Sequence, residues 1–127
     1  MRALQYLVFH HSASPRSTTT EQIREWHLNK GWRDIGYNGV IEEDGTFHLG
    51  RRLGDSLAAN PPYNRESIAI CITGNNTVDE HRWNRRQIKV AGEIADGFRA
   101  MGYEVTGHRD VGSTPTECPG VNITEII

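Results

Sequence analysis

The sequence has few cysteines, a near balance of charge and no long apolar segment, and each of these excludes a class of protein. Only Cys71 and Cys118 are present in 127 residues, which is too few for a disulfide framework. Fourteen basic and sixteen acidic residues give a net charge of −2, whereas nucleic-acid binding as the main role needs a positive surface. No run of about 18 apolar residues is present, so we expect no membrane insertion.

The remaining composition is that of one folded domain spanning residues 1–127. Hydrophobic residues make up 36% of the chain and charged residues 24%, and a chain of this length buries about two thirds of its surface. We expect a monomer. The first residues lack the charged and apolar regions of a signal peptide, so we expect a protein that starts in the cytoplasm. The two cysteines leave three states open: a disulfide, two free thiols, or a thiol bound to a metal.

Strand and helix patterns alternate along the chain. Residues 4–10 are almost all apolar or aromatic and predict a buried strand. Residues 36–41 and 46–50 flank Asp44-Gly45, a strong hairpin signal. Residues 67–73 are rich in β-branched side chains and predict a central strand, and residues 103–106 predict a last short one. Residues 53–65 have no periodicity and predict a long surface loop.

Two segments have the spacing of helices. Thr18 and Glu21 form a capping-box pattern that opens a helix to about Lys30, with Ile23 and Trp26 on one face. Apolar side chains recur at helical spacing over residues 82–101. The order is strand, helix, hairpin, strand, helix, strand. It predicts an α/β fold with a mixed central sheet flanked by helices.

Residues that bind metals follow the first and last of these strands. His10 and His11 end the first strand, His108 follows the last, and Cys118 lies ten residues further on. Two imidazoles and one thiolate are good ligands for Zn²⁺, and a water in the fourth position would make the site catalytic. Two hydrogen-bonded core histidines and a buried thiol are the alternative. Strand alternation lets only one of His10 and His11 face the site, without deciding which.

At this point the sequence resembles a known family, the type-2 N-acetylmuramoyl-L-alanine amidases, which include phage lysozyme-like endolysins and peptidoglycan recognition proteins. The resemblance covers essentially the whole chain. It is carried by FHHSAS at residues 9–14, IREWH at 23–27, GWRDIGYN at 31–38, DGT at 44–46, SIAICITG at 67–74, HRD at 108–110 and TPTECPG at 114–120.

The resemblance implies a Zn²⁺ enzyme that cleaves bacterial peptidoglycan. The family's ligands fall on His10, His108 and Cys118, and its catalytic tyrosine falls on Tyr37. Thr116 occupies the position two before the cysteine, where some phage enzymes have lysine. The bond cut would join the lactyl group of N-acetylmuramic acid to the L-alanine of the stem peptide.

Further substrate contacts are predicted from the residues around this expected groove. Asn38 follows the catalytic tyrosine, Asn64 lies in the long loop, and Arg51 could pair with stem-peptide carboxylates. The chain departs from the family in two places. Cys71 stands where some relatives have a catalytic glutamate, and the loop around residues 58–62 lacks a histidine that relatives often have.

Four functions remain open. The leading hypothesis is a phage or prophage endolysin, made in the host cytoplasm and acting on the cell wall after release. The second is a non-catalytic peptidoglycan-binding receptor, although such relatives usually lose the cysteine that Cys118 supplies here. The third is a cytoplasmic amidase that recycles soluble muropeptides, and the fourth is a metal-free interaction domain.

Overall fold

A five-stranded mixed sheet forms the centre of the molecule. The computed structural model describes residues 6–52, 67–110 and 116–127. The strands are β1 (Tyr6–His11), β2 (Gly39–Ile41), β3 (Phe47–Leu49), β4 (Ser67–Ile72) and β5 (Glu104–Gly107), and the helices are α1 (Thr20–Asn29), α2 (Arg85–Ala100) and α3 (Ile123–Ile126). The strand order is β3-β2-β4-β1-β5. The predicted α/β fold with a mixed sheet is therefore confirmed.

The three parallel strand pairings explain where a site can form. β1 is parallel to both β4 and β5, and β2 is parallel to β4, so these four strands end at one edge of the sheet. Only β3 is antiparallel, and it returns from β2 through the turn at Asp44 and Gly45. Gly45 has φ +86°, a conformation that glycine adopts without strain. Ligand sites of α/β sheets lie beyond the carboxyl ends of parallel strands.

Two apolar clusters cover the two faces of this sheet. On one face α2 packs its apolar stripe over side chains such as Phe9, Ile70 and Ile72. On the other face Ile23 of α1 packs with Val40 and Cys71. Residues paired in register point to the same face, so His10, which pairs with Cys71, belongs to the α1 face.

The first helix begins one residue later than its sequence predicts. Thr19 and Gln22 form the reciprocal capping box, not Thr18 and Glu21. Thr18 is buried and donates from its hydroxyl to Ser14 in the preceding loop, so it is not available as a cap.

The predicted apolar face of α1 was also wrong at one position. Trp26 is 45% exposed, because His27, four residues after Ile23, takes the inward position instead.

The other differences are at element boundaries. α2 begins at Arg85 behind an Asn84 cap, so Trp83 lies just before the helix, where its indole N–H donates to the main-chain oxygen of Ile72 at 3.0 Å. The predicted loop at residues 53–65, which includes Asn64, lies outside the described residues. Among the helices that the structure describes, none is long and apolar enough to cross a bilayer.

Candidate metal centre

His10, His108 and Cys118 come together at the carboxyl edge of the sheet. One potential ligand atom from each lies within 4.8 Å of the others. Sγ of Cys118 is 3.8 Å from Nδ1 of His10, and the two imidazole rings are 4.6 Å apart between centroids. For comparison, a tetrahedral Zn²⁺ separates a nitrogen and a sulfur ligand by about 3.5 Å. The donor atoms and their spacing fit such an ion.

The local sequence brings these three residues together. His10 is near the end of β1, and His108 directly follows β5, the strand parallel to β1. Gly107 precedes His108, and a Cβ atom there would lie 2.7 Å from Cδ of Pro119. Glycine at this position therefore lets the Cys118-Pro119 turn approach the end of β5. The main-chain N–H of Arg109 also donates to the Cys118 carbonyl at 2.6 Å.

Burial shifts the pKa values of two of the three side chains when no metal is bound. Burial lowers the pKa of His108, and neutral imidazole is the form that binds metals. Burial raises the pKa of the Cys118 thiol to about 12, although a hydrogen bond from the His11 main-chain N–H opposes this. A divalent cation reverses that balance, because a coordinating thiol loses its proton. Both cysteines are free thiols.

His11 lies beside the donor set but points to the other face of β1. Its ring Nδ1 accepts a hydrogen bond from the main-chain N–H of Asn76 at 3.2 Å, and its own main-chain N–H reaches Sγ of Cys118 at 3.3 Å. Burial lowers the pKa of His11, and the nearby Glu117 partly opposes the shift.

Tyr37 lies next to the donor set, between two imidazole rings. Its ring centroid is 5.1 Å from that of His10 and 5.5 Å from that of His27. Burial raises the pKa of the Tyr37 phenol well above its usual value, and the sulfurs of Cys71 and Cys118 add to the shift. The phenol therefore keeps its proton and can act as a hydrogen-bond donor.

The loop that carries Tyr37 is held from several sides. The main-chain N–H of Gly36 donates to Nδ1 of His27 at 2.8 Å. The guanidinium of Arg51 donates to the carbonyls of Asp34 and Ile35, both at 3.1 Å. Arg51 thus fixes the loop that presents Tyr37.

The side chain of Asn38 also forms hydrogen bonds with main-chain groups. Its side-chain amide donates to the carbonyls of Arg51 and Arg52, and its oxygen accepts from Ala69 N–H at 2.8 Å. The predicted substrate contacts of Asn38 and Arg51 stay predictions, and Asn64 lies outside the described residues. In the structure both described residues shape the loop at Tyr37.

Thr116 lies at the start of the turn that carries Cys118. Its hydroxyl oxygen accepts from the Cys118 main-chain N–H at 3.2 Å, and the residue lines the same cavity as the donor set. Thr116 therefore both shapes the turn and presents a hydroxyl beside the candidate metal position.

Two of the cavities formed by the described residues are candidates for the functional site. The one at the donor set has a volume of about 300 Å³ and includes Trp32 and Lys30 at its rim. A larger cavity of about 800 Å³ lies between β3 and α2 and is lined mainly by apolar side chains such as Phe47, Leu49 and Phe98. The smaller cavity contains the nitrogen and sulfur donors, so we place the candidate site there.

His27 predicts a pH dependence of stability. Burial, with help from the charges of Lys30 and Arg51, lowers the pKa of His27 to about 4, whereas an unfolded histidine titrates near 6.5. The unfolded state therefore binds more protons between these values, and the free energy of unfolding falls as pH drops from about 6.5 to 4.

We expect His27→Asn, whose Oδ1 can still accept from Gly36 N–H, to flatten this dependence. Urea unfolding of both proteins at a series of pH values between 7 and 4 tests it. Parallel curves for wild type and variant would contradict the assignment.

The fold and the site together define a class of protein. It is an α/β domain that holds two imidazoles and a thiol, a candidate metal centre, at the carboxyl edge of a mixed sheet. Comparison with known families is more specific. The family model for N-acetylmuramoyl-L-alanine amidase matches residues 1–121. The chain belongs to this family, and the resemblance inferred from its sequence motifs is confirmed.

Individual relatives fall into two groups. Peptidoglycan-recognition protein SC2 of Drosophila melanogaster is 35% identical over 131 residues, which cover 94% of this chain and 70% of that protein. The endolysin of Klebsiella phage KP32 is 26% identical over 124 residues, covering 91% and 81%. Among solved structures, the endolysin amidase LysCS from Clostridium intestinale URNW is similar with a TM-score of 0.83 and 28% identity, covering 97% and 80%.

Two contacts at the site were not predicted from the sequence. The strand pattern alone does not decide which of His10 and His11 faces the site, and nothing in the sequence singles out Asn76. Asn76 follows β4 in an ordinary loop sequence, Gly74-Asn75-Asn76. Its contact with His11 spans 65 residues, and no local spacing indicates such a pairing.

Proposed function

We propose that this protein is a Zn²⁺-dependent N-acetylmuramoyl-L-alanine amidase that acts on bacterial peptidoglycan. The observation that carries the proposal is the cluster of His10, His108 and Cys118, which opens into a cavity beside Tyr37. Membership of the amidase family supports it. The bond cleaved is the amide between the lactyl group of N-acetylmuramic acid and the L-alanine of the stem peptide.

A set of three protein donors leaves the fourth coordination position of a zinc ion open for water or substrate. Three protein ligands are the arrangement of catalytic zinc sites, whereas structural sites are closed by four. When bound, zinc lowers the pKa of a coordinated water and polarises the substrate carbonyl. The donor set carries one negative charge as a thiolate, so the ion would retain a net charge of about +1 for a developing oxyanion.

The chain's own groups handle the proton and the developing charge. Tyr37 keeps its proton at Oη, because burial raises its pKa, and can donate it to the substrate oxygen that becomes negative. Thr116 has a neutral hydroxyl, whose oxygen accepts from the Cys118 main-chain N–H. Hydrolysis adds the hydroxyl of a water molecule to the lactyl carbonyl carbon, breaks the bond from that carbon to nitrogen, and passes the remaining proton of the water to the nitrogen, so that L-alanine leaves with a free amine.

Within this activity we propose the role of an endolysin, made in the host cytoplasm and acting on the wall after release. Similarity to phage endolysins supports this role. The presence of Cys118 among the donors favours an enzyme over a non-catalytic receptor on the same fold.

Digestion of purified sacculi tests the activity. Zinc-loaded protein is incubated with intact sacculi, with and without a chelator, and the soluble products are identified by mass spectrometry. We expect stem peptides that begin with a free L-alanine amine, and we expect the chelator to abolish them.

Parallel assays with soluble muropeptides, and measurements of zinc binding and sacculus binding, separate the alternatives. Cleavage of soluble muropeptides but not of sacculi would indicate a recycling amidase. Zinc binding and sacculus binding without any cleavage would indicate a receptor. A protein that binds no zinc would contradict the proposal.

A further inference from the structure

Asn76 lies directly beneath the turn that carries Cys118. It is only 3% exposed, and its main-chain N–H and both polar atoms of its side chain are hydrogen-bonded. Its side-chain amide nitrogen donates to the carbonyl of Pro119 at 2.8 Å. Its side-chain oxygen accepts from the main-chain N–H of Trp83 at 3.1 Å. Its main-chain N–H donates to Nδ1 of His11 at 3.2 Å. One buried residue thus joins three separate segments of the chain.

Two of these segments flank the Cys118 thiol. Pro119, whose carbonyl is held by Asn76, is the residue immediately after Cys118. His11, whose ring is held by Asn76, donates its own main-chain N–H to Sγ of Cys118 at 3.3 Å. Asn76 therefore contacts both the chain that carries the sulfur and the residue that donates a hydrogen bond to it.

The packing at this point leaves little space for movement. Gly120 has φ +81°, and a Cβ atom there would lie 3.1 Å from Cβ of Asn76 and 3.3 Å from Cε1 of His11. The backbone of the turn therefore rests directly on these two side chains. Any shift of Asn76 is passed to the turn, and through it to the sulfur.

We propose that Asn76 is a positioning residue that fixes the Cys118 sulfur for metal binding. The proposal rests on the zinc site proposed above. Groups that hydrogen-bond around metal ligands fix their orientation, and their loss typically weakens metal binding by about 10–100-fold. Asn76 does not contact the metal position itself. Its side chain acts through the Pro119 carbonyl, and its main-chain N–H, which the side chain anchors in place, holds the His11 ring.

Gln87 provides a matched control. It is also a fully buried amide, and it donates to the carbonyl of Thr73 at 2.9 Å while its oxygen accepts from Asn84 N–H. Its contacts hold the start of α2 against β4 rather than the Cys118 turn. Asn76→Asp and Gln87→Glu each replace a buried side-chain N–H donor with a carboxylate oxygen. Asn76→Leu and Gln87→Met repeat the comparison without added charge.

The test measures metal binding rather than activity. For each folded variant, the zinc dissociation constant is determined by competition with a chelating dye, and the thiolate-to-metal charge-transfer absorption is recorded with Co²⁺ in place of zinc. We expect both Asn76 variants to bind zinc about 10–100-fold more weakly and to shift or weaken the Co²⁺ band. The Gln87 variants should lose stability but keep wild-type zinc affinity and the wild-type Co²⁺ spectrum.

The outcomes are distinguishable. An Asn76 variant that folds with wild-type zinc affinity and an unchanged Co²⁺ spectrum would overturn the positioning role and leave the zinc site standing. Equal losses in the Asn76 and Gln87 variants would also overturn it, because they would indicate a general effect of stability. A wild-type protein that binds neither metal would overturn both the positioning role and the proposed function.

Discussion

Replacing Cys118 with serine is expected to abolish zinc binding at micromolar metal and, with it, amidase activity. Cys118 supplies the only sulfur among the three clustered donors, and its Sγ lies 3.8 Å from Nδ1 of His10. A serine hydroxyl is similar in size but is a poor ligand, because it stays protonated where a thiol becomes a thiolate. The loss should exceed the roughly 10–100-fold that removal of an outer hydrogen-bonding group costs.

The second cysteine provides the control for this experiment. Cys71 is fully buried in β4 and is not one of the three clustered donors. Cys71→Ser makes the same chemical change and should leave the zinc content unchanged. Metal content after gel filtration, measured by elemental mass spectrometry, is the readout. If folded Cys118→Ser keeps one zinc per chain, Cys118 is not a ligand.

The ends of two strands explain how two of the predicted ligands come together. His10 lies near the end of the buried strand β1 and His108 directly follows β5, and the structure makes these strands parallel neighbours. Parallel neighbours end at the same edge, so two histidines distant in sequence meet there. The order of the strands in the sheet could not be read from periodicity, because every inner strand is apolar on both faces.

The N-cap of α1 and its buried face were harder to predict from the sequence, because both depend on contacts formed in the folded protein. Thr18 and Thr19 offer the same capping chemistry, and the hydrogen bond from the Thr18 hydroxyl to Ser14 in the preceding loop decides between them. Trp26 is more apolar than His27, yet His27 points inward because its ring accepts from Gly36 and packs against Trp32 at 4.5 Å. In both cases a contact with the loop beside the helix decides between two neighbouring positions, and helical periodicity does not reveal it.

The residues around the ligands are the least predictable part of the site. Arg51 has the chemistry of a carboxylate-binding residue, but its described bonds go to the carbonyls of Asp34 and Ile35. Asn76 has no distinctive spacing at all, yet it contacts both flanks of Cys118. Such roles depend on which main-chain groups approach in the folded state, and a side chain's type does not reveal them.

Replacing Tyr37 with phenylalanine is expected to reduce kcat by about 10²-fold or more while leaving zinc binding intact. The ring stays packed between His10 and His27, because phenylalanine keeps its shape. Only the hydroxyl is lost, and with it the donor for the substrate oxygen. Because the raised pKa keeps the phenol protonated in the wild type, the variant removes a proton donor rather than a charge.

Tyr103 is a suitable control for the Tyr37 experiment, because it lies at the other side of the sheet and packs edge-on against Phe98 at 4.9 Å. Tyr103→Phe also removes one hydroxyl and should keep the wild-type kcat. Rates of L-alanine amine release from sacculi, measured with zinc-saturated enzymes, compare the two variants. A zinc-loaded Tyr37→Phe enzyme that works at the wild-type rate would remove the phenol from the reaction. The hydrogen bond to the substrate oxygen would then have to come from another group of the cavity, which Thr116 also lines.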